Sequence, residues 1–228
     1  MLTCFIDNKL TYLNKKGKIV WQDNEIKAKE FKELNVDFMT RGYFRAFSER
    51  NKKDIGGFGI SGNYPKKISK SDLFNKNSVS VLVDDKLIDT IGGVYKGITV
   101  YLANTTSKKI DFNAQDSRIH MKVQALNAQG VWNDIEYLPS SWCGNSYHTL
   151  TLKPKYFWKF VSPKYAGDIK TKLRIELRYI NPKSKGKYSY EKEEITIYSN
   201  EYEGFVNPAQ FWRKLEYFPQ GIMDPYFD

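Results

Sequence analysis

Cysteine, histidine, arginine and long apolar runs are all scarce in this chain. Two cysteines, Cys4 and Cys143, cannot staple a disulfide scaffold. With the two histidines, His120 and His148, they form no Cys-x-x-Cys or His-Glu-x-x-His spacing, so neither a metal nor a cofactor is indicated. No apolar run approaches the roughly 20 residues that a membrane-spanning helix needs, so no transmembrane segment is expected. Seven arginines stand against 29 lysines. Surfaces that read phosphates or bases favour the planar arginine fork, whereas lysine is a solvated point charge. The lysines gather where turns are expected, at Lys15-Lys16, Lys52-Lys53, Lys66-Lys67, Lys108-Lys109 and Lys183, Lys185 and Lys187. The net charge of +10 therefore reads as a solvated surface and protected strand edges, and nucleic acid is disfavoured as a partner.

What is present is aromatic and β-prone. Of 228 residues, 41% are hydrophobic and 15% aromatic, too many for a disordered chain and enough for one sizeable core. Alternating or β-branched runs begin at Val79–Val83, Gly97–Leu102 and Ile119–Leu126. Others follow at Thr149–Leu152, Tyr156–Val161, Lys172–Tyr179 and Glu194–Tyr198. Leu173, Ile175, Leu177 and Tyr179 share one face; Arg174, Glu176 and Arg178 share the other, the pattern of a sheet with one solvated side. Turn signals separate the runs at Asn104-Thr105-Thr106-Ser107, Asn127-Ala128-Gln129-Gly130, Ser162-Pro163 and Asn181-Pro182. The expected fold is all-β, an antiparallel β-sandwich with an N-terminal hairpin and a short C-terminal helix.

Three regions follow: a hairpin over 1–27, an irregular segment over 28–75 that packs on the main domain, and the sandwich over 76–228. In the first, Asn14-Lys15-Lys16-Gly17 divides two β-prone runs, a hairpin signal. Phe5-Ile6-Asp7-Asn8-Lys9 and Tyr12-Leu13-Asn14-Lys15-Lys16-Gly17-Lys18-Ile19-Val20 resemble one unit of the bacterial WG repeat, with Leu10-Thr11 in place of the tryptophan-glycine pair. The resemblance implies either the last unit of an array or an ordinary hairpin of the main domain. In the second region, Ala28, Phe31 and Leu34 recur at helical spacing, with an extended linker as the competing reading. Gly56-Gly57-Phe58-Gly59 ends in Asn63-Tyr64-Pro65 rather than Lys-Ser/Thr, so it reads as a structural or contact loop, not a phosphate loop.

In the third region, Tyr101-Leu102-Ala103-Asn104-Thr105-Thr106-Ser107-Lys108-Lys109-Ile110-Asp111-Phe112 resembles the strand–turn–strand of bacterial immunoglobulin-like sandwiches, a likeness that implies fold and not function. After Tyr198 the chain is expected to leave the sheet. Asn207 caps a short helix opened by Pro208, with Phe211, Trp212 and Leu215 as its apolar stripe. The aromatic tail Tyr217–Phe227 packs back on the domain or docks on a partner.

Three constellations compete for function. Trp142-Cys143-Gly144-Asn145-Ser146-Tyr147-His148 brings a thiol near an imidazole, the materials of a cysteine-dependent hydrolase, against a loop in which His148 merely starts a strand. Trp132-Asn133-Asp134 places a flat ring beside polar groups, which suits a sugar. Together Trp132, Asn133, Asp134, Trp142, Tyr147 and His148 are the candidate ligand-binding residues. Among the carboxylates, Asp116, Asp134, Glu136, Glu176 and Glu203, no pair stands out for glycoside hydrolysis. The reading is a non-catalytic bacterial binding or protein-interaction module with a protein or glycan partner. The alternatives are a carbohydrate-binding domain and a cysteine-dependent hydrolase. A Cys4–Cys143 disulfide is conceivable in an exported protein. Met1-Leu2-Thr3-Cys4 lacks the basic and apolar stretches of a leader. A native start at Met1 implies the cytoplasm, and a trimmed start the periplasm or secretion.

Overall fold

The computed structural model describes residues 3–6, 9–13, 19–22, 31–42, 44–48, 61–69, 74–138, 141 and 143–214, the first three ranges as backbone. The strands are β1 (Thr3–Ile6), β2 (Lys9–Leu13), β3 (Ile19–Gln22), β4 (Leu34–Asn35), β5 (Thr40–Arg41) and β6 (Lys66–Lys67). They continue as β7 (Val79–Ile91), β8 (Tyr95–Asn104), β9 (Ile110–Gln115), β10 (Arg118–Ile119), β11 (Met121–Leu126), β12 (Trp132–Asp134) and β13 (Glu136–Tyr137). The last are β14 (Tyr147–Leu152), β15 (Tyr156–Pro163), β16 (Tyr165–Ala166), β17 (Ile169–Ile180), β18 (Glu194–Tyr198) and β19 (Tyr202–Val206). The fold is all-β, with helical geometry among the described residues confined to short 3-10 turns. No helix among them is long and apolar enough to cross a membrane.

The first three strands form an antiparallel meander, with β2 and β3 flanking the asparagine–glycine segment. One four-stranded sheet runs β6-β15-β8-β7. Its edge strand β6 carries Lys66 and Lys67, both exposed, where charge discourages pairing with another chain. A second sheet runs β12-β11-β17-β18, and β19 joins the first half of β17. A third runs β10-β9-β14. The second and third are joined by one stretch of chain. Residues 118–119 pair with β9, the chain bends at His120, and 121–125 pair with β17. The sheets thus curl into one another, and two parallel pairs, β4 with β16 and β5 with β13, make the pairing mixed.

The core is the space between these sheets. Val81, Val83, Val100 and Leu102 face it from one side; Met121, Val123, Ile175 and Leu177 face it from the other. Trp158 and Phe112, both fully buried, meet edge-to-face with centroids 5.6 Å apart, and Trp158 Nε1 donates to the Phe47 carbonyl at 3.1 Å. The alternation is borne out over 173–178, where Leu173, Ile175 and Leu177 are buried while Arg174, Glu176 and Arg178 are not; Tyr179 is only partly buried against the same core. The hairpin between β9 and β10 closes on Asp116 and Ser117, both at positive φ (46° and 65°), which matches strand twist in a two-residue turn.

Four expectations need correction. The chain does not leave the sheet after Tyr198. Ser199 and Asn200 make a bulge, after which Tyr202 and Val206 turn inward as β19. Ser162-Pro163 is not a turn but the end of β15, where a proline N–H is not needed by the ladder. The C-terminal helix is a single 3-10 turn over Pro208–Phe211. Asn207 and Gln210 cap it reciprocally, and Trp212 is left 71% exposed instead of lining an apolar stripe. Over 31–35 the chain is extended and not helical, since Leu34 and Asn35 pair with Tyr165 and Ala166. The glycine cluster at 56–59, Leu215 and the tail 217–227 lie outside the described residues.

Candidate functional site

Strand alternation places Trp132 and Asp134 of β12, Lys122 and Gln124 of β11, Arg174, Glu176 and Arg178 of β17, and Glu194 and Tyr198 of β18 on one outer face. Register then sets them in rows. Asp134 stands opposite Gln124, and Gln124 opposite Arg174; Lys122 stands opposite Glu176, and Glu176 opposite Tyr198. Cross-strand neighbours at this spacing can touch, and here they do.

The centre of the face is Arg174. Its guanidinium carbon lies 4.3 Å from the Trp132 ring centroid and 3.7 Å from that of Tyr198. The cation is held between two negative ring faces, an arrangement worth about 0.5–2 kcal/mol per ring depending on desolvation. Arg174 Nε donates to Gln124 Oε1 at 2.9 Å. The Gln124 amide in turn donates to Asp134 at 2.9 Å and to Glu176 at 2.8 Å. Every polar atom of this buried glutamine side chain is used, so it fixes its three neighbours at once.

Charge around that centre is balanced. Lys122 reaches Asp134 at 2.6 Å and Glu176 at 3.6 Å. Arg178 lies 3.9 Å from Glu176 and 3.7 Å from Glu194. Glu194 also lies 3.4 Å from His120 and accepts from Asn113 at 2.8 Å. The His120 contact, with help from Asn113 and Arg178 and against partial burial, holds the Glu194 carboxyl down at about 2. The face is stiff and ion-paired, with flat rings at its centre.

The residues singled out in the sequence divide between sheets. Trp132 and Asp134 belong to this face. Asn133 turns from it and accepts from Asn127 at 2.7 Å. Tyr147 and His148 begin β14 in another sheet. Tyr147 is half-exposed and its hydroxyl accepts from the Ser141 N–H at 2.8 Å. His148 is buried, with Nδ1 3.2 Å from the Ser146 carbonyl. Trp142 lies outside the described residues. Among the described residues Cys143 carries a free thiol, and the side chain of Cys4 lies outside them. No group of three or more His, Cys, Asp or Glu among the described residues is placed to hold a metal. Gln124, Arg174 and Tyr198 were missed as a unit because alternation shows a face but not which strands lie side by side.

A second polar cluster is buried. Glu136 accepts from the Val123 N–H at 3.0 Å and from the Tyr165 hydroxyl at 2.7 Å, and Tyr165 is 2.6 Å from Thr40 Oγ1. Burial pushes the Glu136 carboxyl up to about 7 despite the two hydrogen bonds, which pull it down. Burial, with Glu136 beside it, raises the Tyr165 phenol well above its ordinary range. The cluster stitches β5, β11, β13 and β16 together, which gives it a structural role. Comparison of the chain with protein-family models and with curated proteins gives no match, so its function is read from these side chains alone.

Proposed function

We propose that this chain is a non-catalytic binding or protein-interaction module, built on an immunoglobulin-like β-sandwich and carried by a bacterial protein. The N-terminal likeness to a WG-repeat unit supports the bacterial reading, and the antiparallel hairpins with a strand passing between sheets support the fold. One observation carries the function: Arg174 is clamped between Trp132 and Tyr198 on a half-exposed sheet face. Arginine, tryptophan and tyrosine dominate the energetic centres of protein interfaces, and rigid side chains lose little entropy on docking. The polar groups beside Trp132 are already engaged, Asp134 by Lys122 and Gln124, and Asn133 by Asn127. A sugar would have to displace those bonds, so a protein surface is the better occupant of this face.

The experiment is affinity capture with the full chain and two variants, Arg174→Ala and Trp132→Ala. The wild type is expected to retain a discrete protein that both variants lose, with affinity reduced about 30-fold or more for a central contact. A partner retained equally by both variants, or none captured, rejects the reading.

A further inference from the structure

At the end of the fold where β8 and β17 finish, the β8–β9 turn and the β17–β18 loop flank a half-open pocket of about 360 Å³. It is lined in part by Lys108, Lys109, Asp111, Asn181, Ser184 and Lys192. That volume lies at the lower end of small-molecule sites. Both walls are held in shape. The Asn104 amide donates to the Lys108 and Leu152 carbonyls at 2.8 and 3.0 Å, and its oxygen accepts from the Thr106 N–H at 3.0 Å. Across the pocket, Asn181 N–H donates to the Glu193 carbonyl at 2.8 Å, and Ser184 Oγ accepts from the Glu193 N–H at 2.9 Å. Glu191 accepts from the N–H groups of Lys187 and Tyr188 at 2.8 and 3.0 Å.

The charge of this pocket is not balanced. Lys122, Lys159, Lys164, Lys170 and Lys172 each have a carboxylate partner. Among the described residues Lys108, Lys109 and Lys192 have none, and Asp111 is the sole acid of the lining. The same loop carries a parallel ring pair, Tyr188 on Tyr190, with centroids 5.4 Å apart and planes 6° apart. Lys187 Nζ sits 5.2 Å from the Tyr188 centroid, and Tyr190 is 77% exposed. A flat ring with a polar edge thus stands open to water on the loop that also supplies Asn181, Ser184 and Lys192 to the pocket.

We infer that this pocket and the Tyr188–Tyr190 stack bind an acidic oligosaccharide, a short sugar chain bearing carboxylate or sulfate groups. The lysines meet the anionic groups; Asp111 Oδ1 already accepts from the Thr151 hydroxyl at 2.7 Å, so its other oxygen accepts from sugar hydroxyls. The Ser184 hydroxyl donates, and the open tyrosine face takes a sugar ring. Nucleic acid fits less well. The pocket is compact and not a groove that tracks a backbone, its cations are lysines, and Asp111 would repel a phosphodiester. The site is separate from the Arg174 face and does not depend on the reading of that face.

The test is calorimetric titration of the full chain with tetragalacturonate and with a heparin-derived tetrasaccharide. Maltotetraose serves as the neutral control and an oligothymidylate of matched charge as the nucleic-acid control. At least one acidic tetrasaccharide is expected to bind saturably, with maltotetraose not bound. The double variant Lys109→Gln/Lys192→Gln should weaken it about tenfold and Tyr190→Ala about threefold to tenfold, at unchanged thermal midpoints. Arg174→Ala should leave it unaltered. The inference is overturned if neither acidic saccharide saturates or if the pocket variants bind as the wild type does. It is also overturned if the oligothymidylate binds more tightly through the same lysines.

Discussion

The side chain of Asn200 makes both backbone hydrogen bonds of Val83: Oδ1 accepts from its N–H at 2.8 Å and Nδ2 donates to its carbonyl at 3.0 Å. Val83 lies on β7, the edge of its sheet, and Asn200 lies in the bulge between β18 and β19 of another. One amide therefore does the work of a neighbouring strand and joins two sheets. Replacing it by alanine should cost about 1–2 kcal/mol, and Asn200→Asp should cost as much, because a carboxylate cannot donate to the Val83 carbonyl. Urea denaturation would measure the loss, and faster exchange of the Val83 amide would localise it. Unchanged exchange in both variants would sink the idea.

Glu136 makes stability fall as pH rises from 4.5 to about 7. Its folded carboxyl titrates at about 7 against an ordinary 4.5, so the folded state holds the proton more tightly than the unfolded chain does. The favourable contribution is complete below 4.5 and is lost as pH climbs to 7, by something on the order of 3 kcal/mol. Glu136→Gln has no proton to lose, and its amide can still pair with Val123 and Tyr165. Thermal melts from pH 4.5 to 8 should show the variant gaining on the wild type as pH rises; parallel curves would refute this.

Glu194 acts in the opposite sense and in a lower range. Held at about 2 by His120, Asn113 and Arg178, it contributes stability above 4.5 that disappears as pH falls toward 2. Glu194→Gln should flatten the acid limb of the stability profile and leave the limb between 4.5 and 8 as it was. Acid titration followed by near-ultraviolet circular dichroism separates the two carboxylates.

Gly167 cannot carry a side chain. A Cβ there would overlap the Val206 carbonyl group and come within 2.7 Å of the Asn207 nitrogen, all of it backbone. Gly167→Ala should lose about 3 kcal/mol or more, since Gly167 leads directly into β17, whose Ile169 pairs with Val206, and the two segments cannot part without breaking that ladder. A variant with the wild-type denaturation midpoint would show that the approach is looser than this.

The sequence carried the strands but not their neighbours. Leu173, Ile175 and Leu177 declare a buried face because side chains alternate with a period of two. Nothing local tells Leu34 that it will lie parallel to Tyr165, or Gln124 that Asp134 and Arg174 will flank it. The same gap hid β19. Tyr202, Gly204 and Val206 alternate inward, but Gly204 weakens the pattern, and the glycine is needed because a Cβ would press on Leu173. Glu136 was visible only as one acid among many. Its burial follows from a fold in which β5, β11 and β16 converge on it.

The two parallel pairings set an order of events during synthesis. Leu34 and Thr40 leave the ribosome long before Tyr165 and Glu136, the residues that hold them. Lys32 and Arg45 find partners earlier, in Tyr95 and Arg118, but Leu34 and Thr40 stay unpaired until those later residues arrive. The segment from 34 to 41 is thus made early and seated late, with the apolar Met39 inside it. A nascent chain stalled before residue 165 should present that stretch to chaperones, and one stalled well beyond it should not.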